Sequence, residues 1–190
     1  PAQPGQSPSA LPGAPNSGAA LPQAPGAPAV PGGPAPQASR AEVLAETPRV
    51  QIETPRLTGS ISLKGGRIDD LILADYRETL EPDSDPITLL SPRGVKDAYF
   101  AEFGWISPAG ADGKPAVKVP DADTVWTPSS KTLAPGTPVT LSWDNGQGQV
   151  FKRTYAIDGN FMFTVAQTVE NAGTAAVELF PYGLVSRQGT

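Results

Sequence analysis

Three pairs of carboxylates are the first residues whose type and spacing could do chemistry. They are Asp69 and Asp70, Asp83 and Asp85, and Asp121 and Asp123. Paired carboxylates can act as general acid and base, or bind Ca²⁺. No pair belongs to a twelve-residue calcium-loop pattern, and all three lie at turns or at a strand irregularity, where Asp is favoured for backbone reasons. We therefore expect structural carboxylates, with no catalytic residue and no metal ligand.

Aromatic residues form a second candidate site. Tyr99, Phe103 and Trp105 share one face of an alternating stretch, and Trp126 could join them. Rings on such a face can stack on a sugar and form a ligand groove. The same spacing is what the core of a β-sandwich requires. Both interpretations, groove and core, stay open at this stage.

Missing residue types exclude several kinds of enzyme. The 190-residue chain has no His and no Cys, so histidine bases, serine–histidine triads, thiol nucleophiles and Cys-based zinc sites are excluded. No phosphate-binding glycine loop or dinucleotide fingerprint occurs. We expect no cofactor, and no enzyme.

The charge balance bears on the partners. The formal net charge is −5, which argues against nucleic acid as a partner and against a polybasic membrane patch. No run of 18 apolar residues occurs, so no membrane span is predicted. Lys152 and Arg153 lie in the middle of an alternating stretch, and we expect both as solvated side chains beside the core.

The N-terminal segment differs from the rest. No charged residue precedes Arg40, and Pro, Ala and Gly dominate the segment, which cannot bury enough apolar surface to fold. We predict a disordered Ala/Pro/Gly-rich linker over residues 1–46, with one or two helical turns possible over residues 40–46. A single domain over residues 47–190 follows.

That domain reads as a series of strands. Strands are predicted over residues 57–63 and 68–73, with a glycine turn at 64–67 and a bulge at Asp69 and Asp70. Residues 87–90, 99–106 and 124–126 are further strand candidates. The last third predicts four strands joined by three Gly-containing turns, as an antiparallel meander ending with residues 177–185. The fold class is therefore all-β, an antiparallel β-sandwich or a barrel. The chain stops directly after a strand, so we expect the natural chain to continue.

Several segments together resemble a known family. They are residues 54–61, 65–73, 75–80, 99–105, 151–158 and 181–187. In order and spacing they look like the large periplasmic domain of the bacterial YidC membrane protein insertase family, in its α-proteobacterial form. The resemblance covers roughly residues 47–190, and the N-terminal segment matches only in kind, as a variable tether.

The resemblance implies a fold and a function. The fold would be a supersandwich similar to galactose mutarotase, here truncated. A mutarotase needs catalytic histidines, and this chain has none. The implied function is to assist the insertion and folding of inner-membrane proteins, as an interaction or spacer module that contacts accessory subunits of the Sec translocon. Membrane protein substrates would be handled by membrane parts that this chain lacks, so no insertase residue can be assigned.

The implied location is the periplasm, tethered to the bacterial inner membrane. The alternative function is a carbohydrate-binding β-sandwich module, in which Tyr99, Phe103, Trp105 and Trp126 form the stacking platform. Exposure of these rings would distinguish the two hypotheses.

Overall fold

A computed structural model describes residues 38–110 and 113–189. They form one short helix and eleven strands. The elements are α1 (Arg40–Ala45), β1 (Arg49–Glu53), β2 (Leu57–Ser62), β3 (Ile68–Arg77), β4 (Pro86–Leu90), β5 (Tyr99–Ile106), β6 (Thr127–Pro128), β7 (Thr132–Leu133), β8 (Val139–Asp144), β9 (Gln149–Ile157), β10 (Phe163–Asn171) and β11 (Phe180–Arg187).

Two sheets make up the architecture. The first has seven strands in the order β11-β5-β3-β2-β1-β7, with β4 added beside β3, and the second has four in the order β10-β9-β8-β6. All pairings are antiparallel except that of β1 with β7. One core cluster contains residues of both sheets, including Val50 and Ile61 from the first and Leu141 and Phe151 from the second. The predicted all-β sandwich is confirmed.

The β2–β3 hairpin has the predicted turn and bulge. Gly65 and Gly66 both have positive φ, 75° and 64°, as a tight right-twisting hairpin requires. The register then shifts, because Ser60 pairs with Asp70 whereas Ile61 pairs with Ile68. Asp69 is thus the extra residue of a bulge. The bulge explains the change of phase in the sequence pattern at this position.

The predicted C-terminal meander is confirmed for three strands, and the prediction is wrong for the fourth. β8, β9 and β10 pair in succession, as predicted. β11, however, pairs with β5 in the other sheet, over eight consecutive residues. Val177 and Leu179 pack against the core where the chain crosses between the sheets. An alternating pattern identifies a strand but carries no information about its neighbour.

Residues 124–126 are not the strand that their sequence predicts. Val125 forms only an isolated bridge with Lys64, and the Trp126 backbone N–H donates to the Leu63 carbonyl. This short connection places the Trp126 ring in the core. The two-residue strands β6 and β7 were not predicted, since two residues show no period.

The helical turns expected near residue 40 are present as α1. Ser39 caps the helix in a capping box with Glu42, and Arg40 forms an ion pair with Asp70 on β3. The last residues assigned to the linker are therefore folded against the sandwich. Residues 1–37 of that linker lie outside the described residues. In the described ranges, no helix is long and apolar enough to cross a membrane.

Substitution of Gly66 should strongly destabilise the fold. A Cβ atom there would lie 2.6 Å from Arg153 Nη1 and 3.2 Å from Trp126 Nε1, on a backbone with φ of 64°. We expect Gly66→Ala to lower the free energy of unfolding by roughly 2–4 kcal/mol in urea titrations, because strain and overpacking add.

Gly136→Ala is the matched control. Gly136 has a φ of 77° but no atom within 4 Å of the added Cβ, so only the backbone strain applies. Its expected cost is about 1–2 kcal/mol. Equal losses in the two variants would contradict the crowding at Gly66.

Candidate functional site

Arg153 lies at the centre of the sandwich. It belongs to the inward face of β9, between Phe151 and Tyr155, and its exposed fraction is 1%. The prediction that Arg153 is solvated is therefore wrong, while Lys152 on the other face is half-exposed and pairs with Glu170. Strict alternation along β9 forces the arginine inward, and polar partners inside compensate for its lost hydration.

Backbone carbonyls of the opposite sheet accept the hydrogen bonds of Arg153. Nη1 donates to the Gly66 carbonyl at 2.8 Å and to the Gly65 carbonyl at 3.3 Å. Nη2 donates to the carbonyl of Phe103 on β5. The Tyr155 hydroxyl also donates to the Gly66 carbonyl, at 2.7 Å. One side chain of the second sheet thus holds the β2–β3 turn and β5 of the first.

Aromatic rings complete the surroundings of this cation. The guanidinium carbon lies 4.7 Å from the centroid of the Trp126 ring and 5.6 Å from that of Trp105. The two indoles stack on each other, with their ring centroids 6.4 Å apart. Among the described residues, the salt bridges do not include Arg153. Carbonyl dipoles and ring faces solvate the charge in place of a carboxylate.

The four residues proposed as a sugar platform do not share one open face. Trp105 and Trp126 are 5% and 2% exposed, so neither indole offers a ring face to a ligand. Phe103 and Tyr99 are half-buried and pack against the core. Only these last two retain surface on which a sugar could stack.

The first acidic pair is buried and neutralised by arginines. Asp69 pairs with Arg49, and Asp70 pairs with Arg40. Burial nevertheless raises the pKa of Asp69 above its usual value, although Arg49 opposes this shift. The two aspartates at the bulge are thus held by charges from β1 and α1.

The other acidic pairs have local structural roles. Asp121 accepts hydrogen bonds from the Asp123 backbone N–H and the Thr124 hydroxyl, which closes a turn. A hydrogen bond from Lys64 holds the pKa of Asp123 below its usual range. Asp83 and Asp85 lie in the β3–β4 loop. Within the described ranges no group of acidic residues could hold a metal ion.

An apolar cavity, which the sequence did not indicate, lies elsewhere in the molecule. Its volume is about 320 Å³. Its lining residues are all apolar or aromatic, namely Leu57, Leu71, Leu73, Tyr76, Leu89, Phe161 and Phe163. They come from two separate parts of the chain, residues 57–89 and 161–163, so no local pattern could reveal the cavity.

Comparison with known proteins places the sandwich in a family. The family model described as the YidC periplasmic domain matches residues 49–190, which covers the whole sandwich. The chain belongs to the YidC periplasmic-domain family. The resemblance noted in the sequence is thus confirmed.

Similar proteins agree with the assignment to the YidC family. The membrane protein insertase YidC of Methylobacterium radiotolerans is 51% identical over 188 residues, covering 98% of this chain and 29% of the relative. That of Bradyrhizobium diazoefficiens is 49% identical, covering 82% of this chain and 25% of the relative. That of Cereibacter sphaeroides is 56% identical, covering 77% and 23%. This YidC-family chain thus spans about a quarter of the length of these relatives.

Arg153 should be essential for the stability of this YidC-family domain. Arg153→Met keeps an unbranched side chain in the core but removes the guanidinium donor from the carbonyls of Gly65, Gly66 and Phe103, and only Gly66 keeps the Tyr155 hydroxyl as a second donor. We expect the free energy of unfolding to fall by roughly 3–5 kcal/mol, as measured by urea denaturation.

Lys152→Met is the control on the opposite face of the same strand. It removes only the exposed ion pair with Glu170, so its expected effect is within about 1 kcal/mol. Similar losses for the two variants would show that the inward hydrogen bonds of Arg153 do not stabilise the sandwich.

Tyr155 should make the stability sensitive to alkali. Burial raises the pKa of the Tyr155 phenol above its unfolded value of about 10, an effect that nearby Arg153 partly opposes. The native state binds this proton more tightly, so the stabilising contribution is full below pH 10 and is lost as the pH rises through the native pKa.

Tyr155→Phe tests this linkage. At pH 7 the variant should be about 1 kcal/mol less stable, since the hydrogen bond to Gly66 is lost. Above pH 10 that difference should shrink, because the variant has no phenol to ionise. A difference that stays constant from pH 7 to alkaline pH would contradict the raised pKa.

Proposed function

We propose that this chain is the non-catalytic periplasmic domain of a membrane protein insertase tethered to the bacterial inner membrane. The domain acts as an interaction or spacer module toward accessory subunits of the Sec translocon. The observation that carries the proposal is the match of residues 49–190 to the YidC periplasmic domain, with relatives named as insertases. Insertion and folding of inner-membrane proteins is then the activity of the longer protein, which acts on membrane protein substrates.

The use of polar groups inside the sandwich supports a non-catalytic role. Among the described residues, the buried charged ones are Asp69, Asp70 and Arg153, and each has partners within the fold. Arg153 lines a pocket of only about 10 Å³, which leaves no room for a substrate, whereas a catalytic group would face a cleft that a substrate could enter. The sequence also has no His and no Cys to act as base or nucleophile.

Two replacements in a full-length relative would test the proposal. In the insertase of Methylobacterium radiotolerans, the segment equivalent to residues 49–190 is exchanged for a Gly/Ser linker, either long enough to span the domain or very short. A spacer role predicts that the long linker keeps membrane protein insertion and the short one loses it. An interaction role predicts that both lose it.

Direct binding separates the two roles further. The 190-residue chain is titrated with purified accessory Sec subunits by interferometry. An interaction role predicts a complex with a dissociation constant in the micromolar range, below roughly 100 μM. Normal insertion with both linkers, together with no complex, would refute the proposal as a whole.

A further inference from the structure

The apolar cavity lies where the β2–β3–β4 part of the first sheet meets the β9–β10 turn. Leu57, Leu71 and Leu73 supply its base from β2 and β3, and Phe161 and Phe163 come from the turn and from β10. Its volume of about 320 Å³ is at the lower end of the range for ligand sites. That is room for one or two large apolar side chains.

Three departures from regular backbone place lining residues at this cavity. The β3–β4 register shifts between Leu71 and Ile72, which makes Leu89 the extra residue of a bulge. Residues 74–76 have no partner in the same pairing, and Tyr76 is among them. Bulges commonly re-aim side chains beside functional sites.

Phe161 shows the third departure. Its φ is 74°, a left-handed conformation that a bulky residue adopts only when its surroundings hold it there. Such strained conformations cluster at active sites, ligand clamps and switch regions. The ring is held by the Arg56 guanidinium, 4.4 Å from its centroid, and by Tyr76 at 6.4 Å.

The ion pair beside Phe161 is neutral overall. Arg56 donates from Nε to Asp75 Oδ2 at 2.7 Å, so the cation beside Phe161 already has its counterion. An anionic lipid head group or a fatty acid would have to compete with this carboxylate. A neutral apolar group meets no such competition.

The backbone of β4 is a second feature beside the cavity, and it is polar. Within the described residues, Pro86–Leu90 pair with β3 alone, while Ser91 directly after them bridges to Tyr99 of β5, so the free sheet edge is limited to the other side of Pro86–Leu90. An edge strand presents unpaired backbone N–H and C=O groups. Leu89, which belongs to β4, lines the cavity and is partly exposed. Backbone groups for a new strand and an apolar pocket for its side chain therefore lie side by side.

We propose that this site binds an extended, uncharged polypeptide segment. The segment adds as a strand to the free edge of β4 and inserts one Phe or Leu side chain into the cavity. In strand addition, the main-chain hydrogen bonds supply affinity and the side-chain pocket supplies specificity. The proposal needs neither the Sec contacts nor the insertase role, since it rests on the cavity and the edge alone.

Fluorescence anisotropy with the 190-residue chain tests the proposal. The probe is a fluorescein-labelled seven-residue peptide of Thr and Ser with a central Phe. We expect saturable binding below roughly 1 mM. A peptide with Ser in place of Phe, and one with N-methylated backbone amides, should each bind at least about tenfold more weakly.

Variants locate the binding. Leu89→Glu should weaken binding of the Phe peptide at least about tenfold, because it introduces a charge into the apolar lining. Leu80→Glu, at a fully exposed residue of the β3–β4 loop, is the matched control and should bind as the wild type. If circular dichroism shows that Leu89→Glu does not fold, Tyr76→Ser provides an independent test, because Tyr76 is another partly exposed lining residue.

Three results would overturn the proposal. They are no saturation by the Phe peptide, equal binding of the N-methylated peptide, and an unchanged affinity in the lining variants. Displacement of the peptide by phosphatidylglycerol vesicles or by laurate would assign the cavity to lipid instead.

Discussion

A buried guanidinium is the constraint on which the rest of this sandwich depends. Arg153 enters the core because β9 alternates strictly, and its charge must then find partners away from water. The partners are carbonyls of Gly65, Gly66 and Phe103, together with two stacked indoles. This arrangement fixes the distance between the two sheets at the β2–β3 turn. It also requires glycine at position 66, where a Cβ would collide with the guanidinium itself.

The two buried aspartates also have partners within the fold. The bulge in β3 turns Asp69 and Asp70 toward the strands and helix beside it, where Arg49 and Arg40 neutralise them. Carboxylates that could have been a catalytic pair therefore stabilise an irregular strand and attach α1 to the domain. The buried polar interactions of this YidC-family sandwich stabilise its fold. The proposed contacts with other polypeptides therefore involve the surface of the domain.

The apolar cavity shows how an irregular sheet can create a surface for such contacts. Regular pairing of β3 with β4 would alternate side chains evenly between the two faces. The bulge at Leu89 and the unpaired residues before Arg77 break that alternation beside the left-handed Phe161 of the β9–β10 turn. Each irregularity has its own energetic cost, and their occurrence around a single cavity supports the proposed peptide site.

The sequence by itself determined the all-β class, the β2–β3 hairpin with its glycine turn and bulge, the bounds of β5 and the pairing of β8, β9 and β10. These features depend on alternation and turn residues, which are local. Motif order also determined the family. Only the tertiary structure decided that β11 joins β5, that Trp126 enters the core and that Arg153 is bonded to carbonyls more than 80 residues before it. The cavity also depends on the tertiary structure, since its lining residues come from separate parts of the chain. Local patterns specify which face of a strand is buried, but a strand's neighbour and the partner of a buried charge depend on contacts between residues that are distant in sequence.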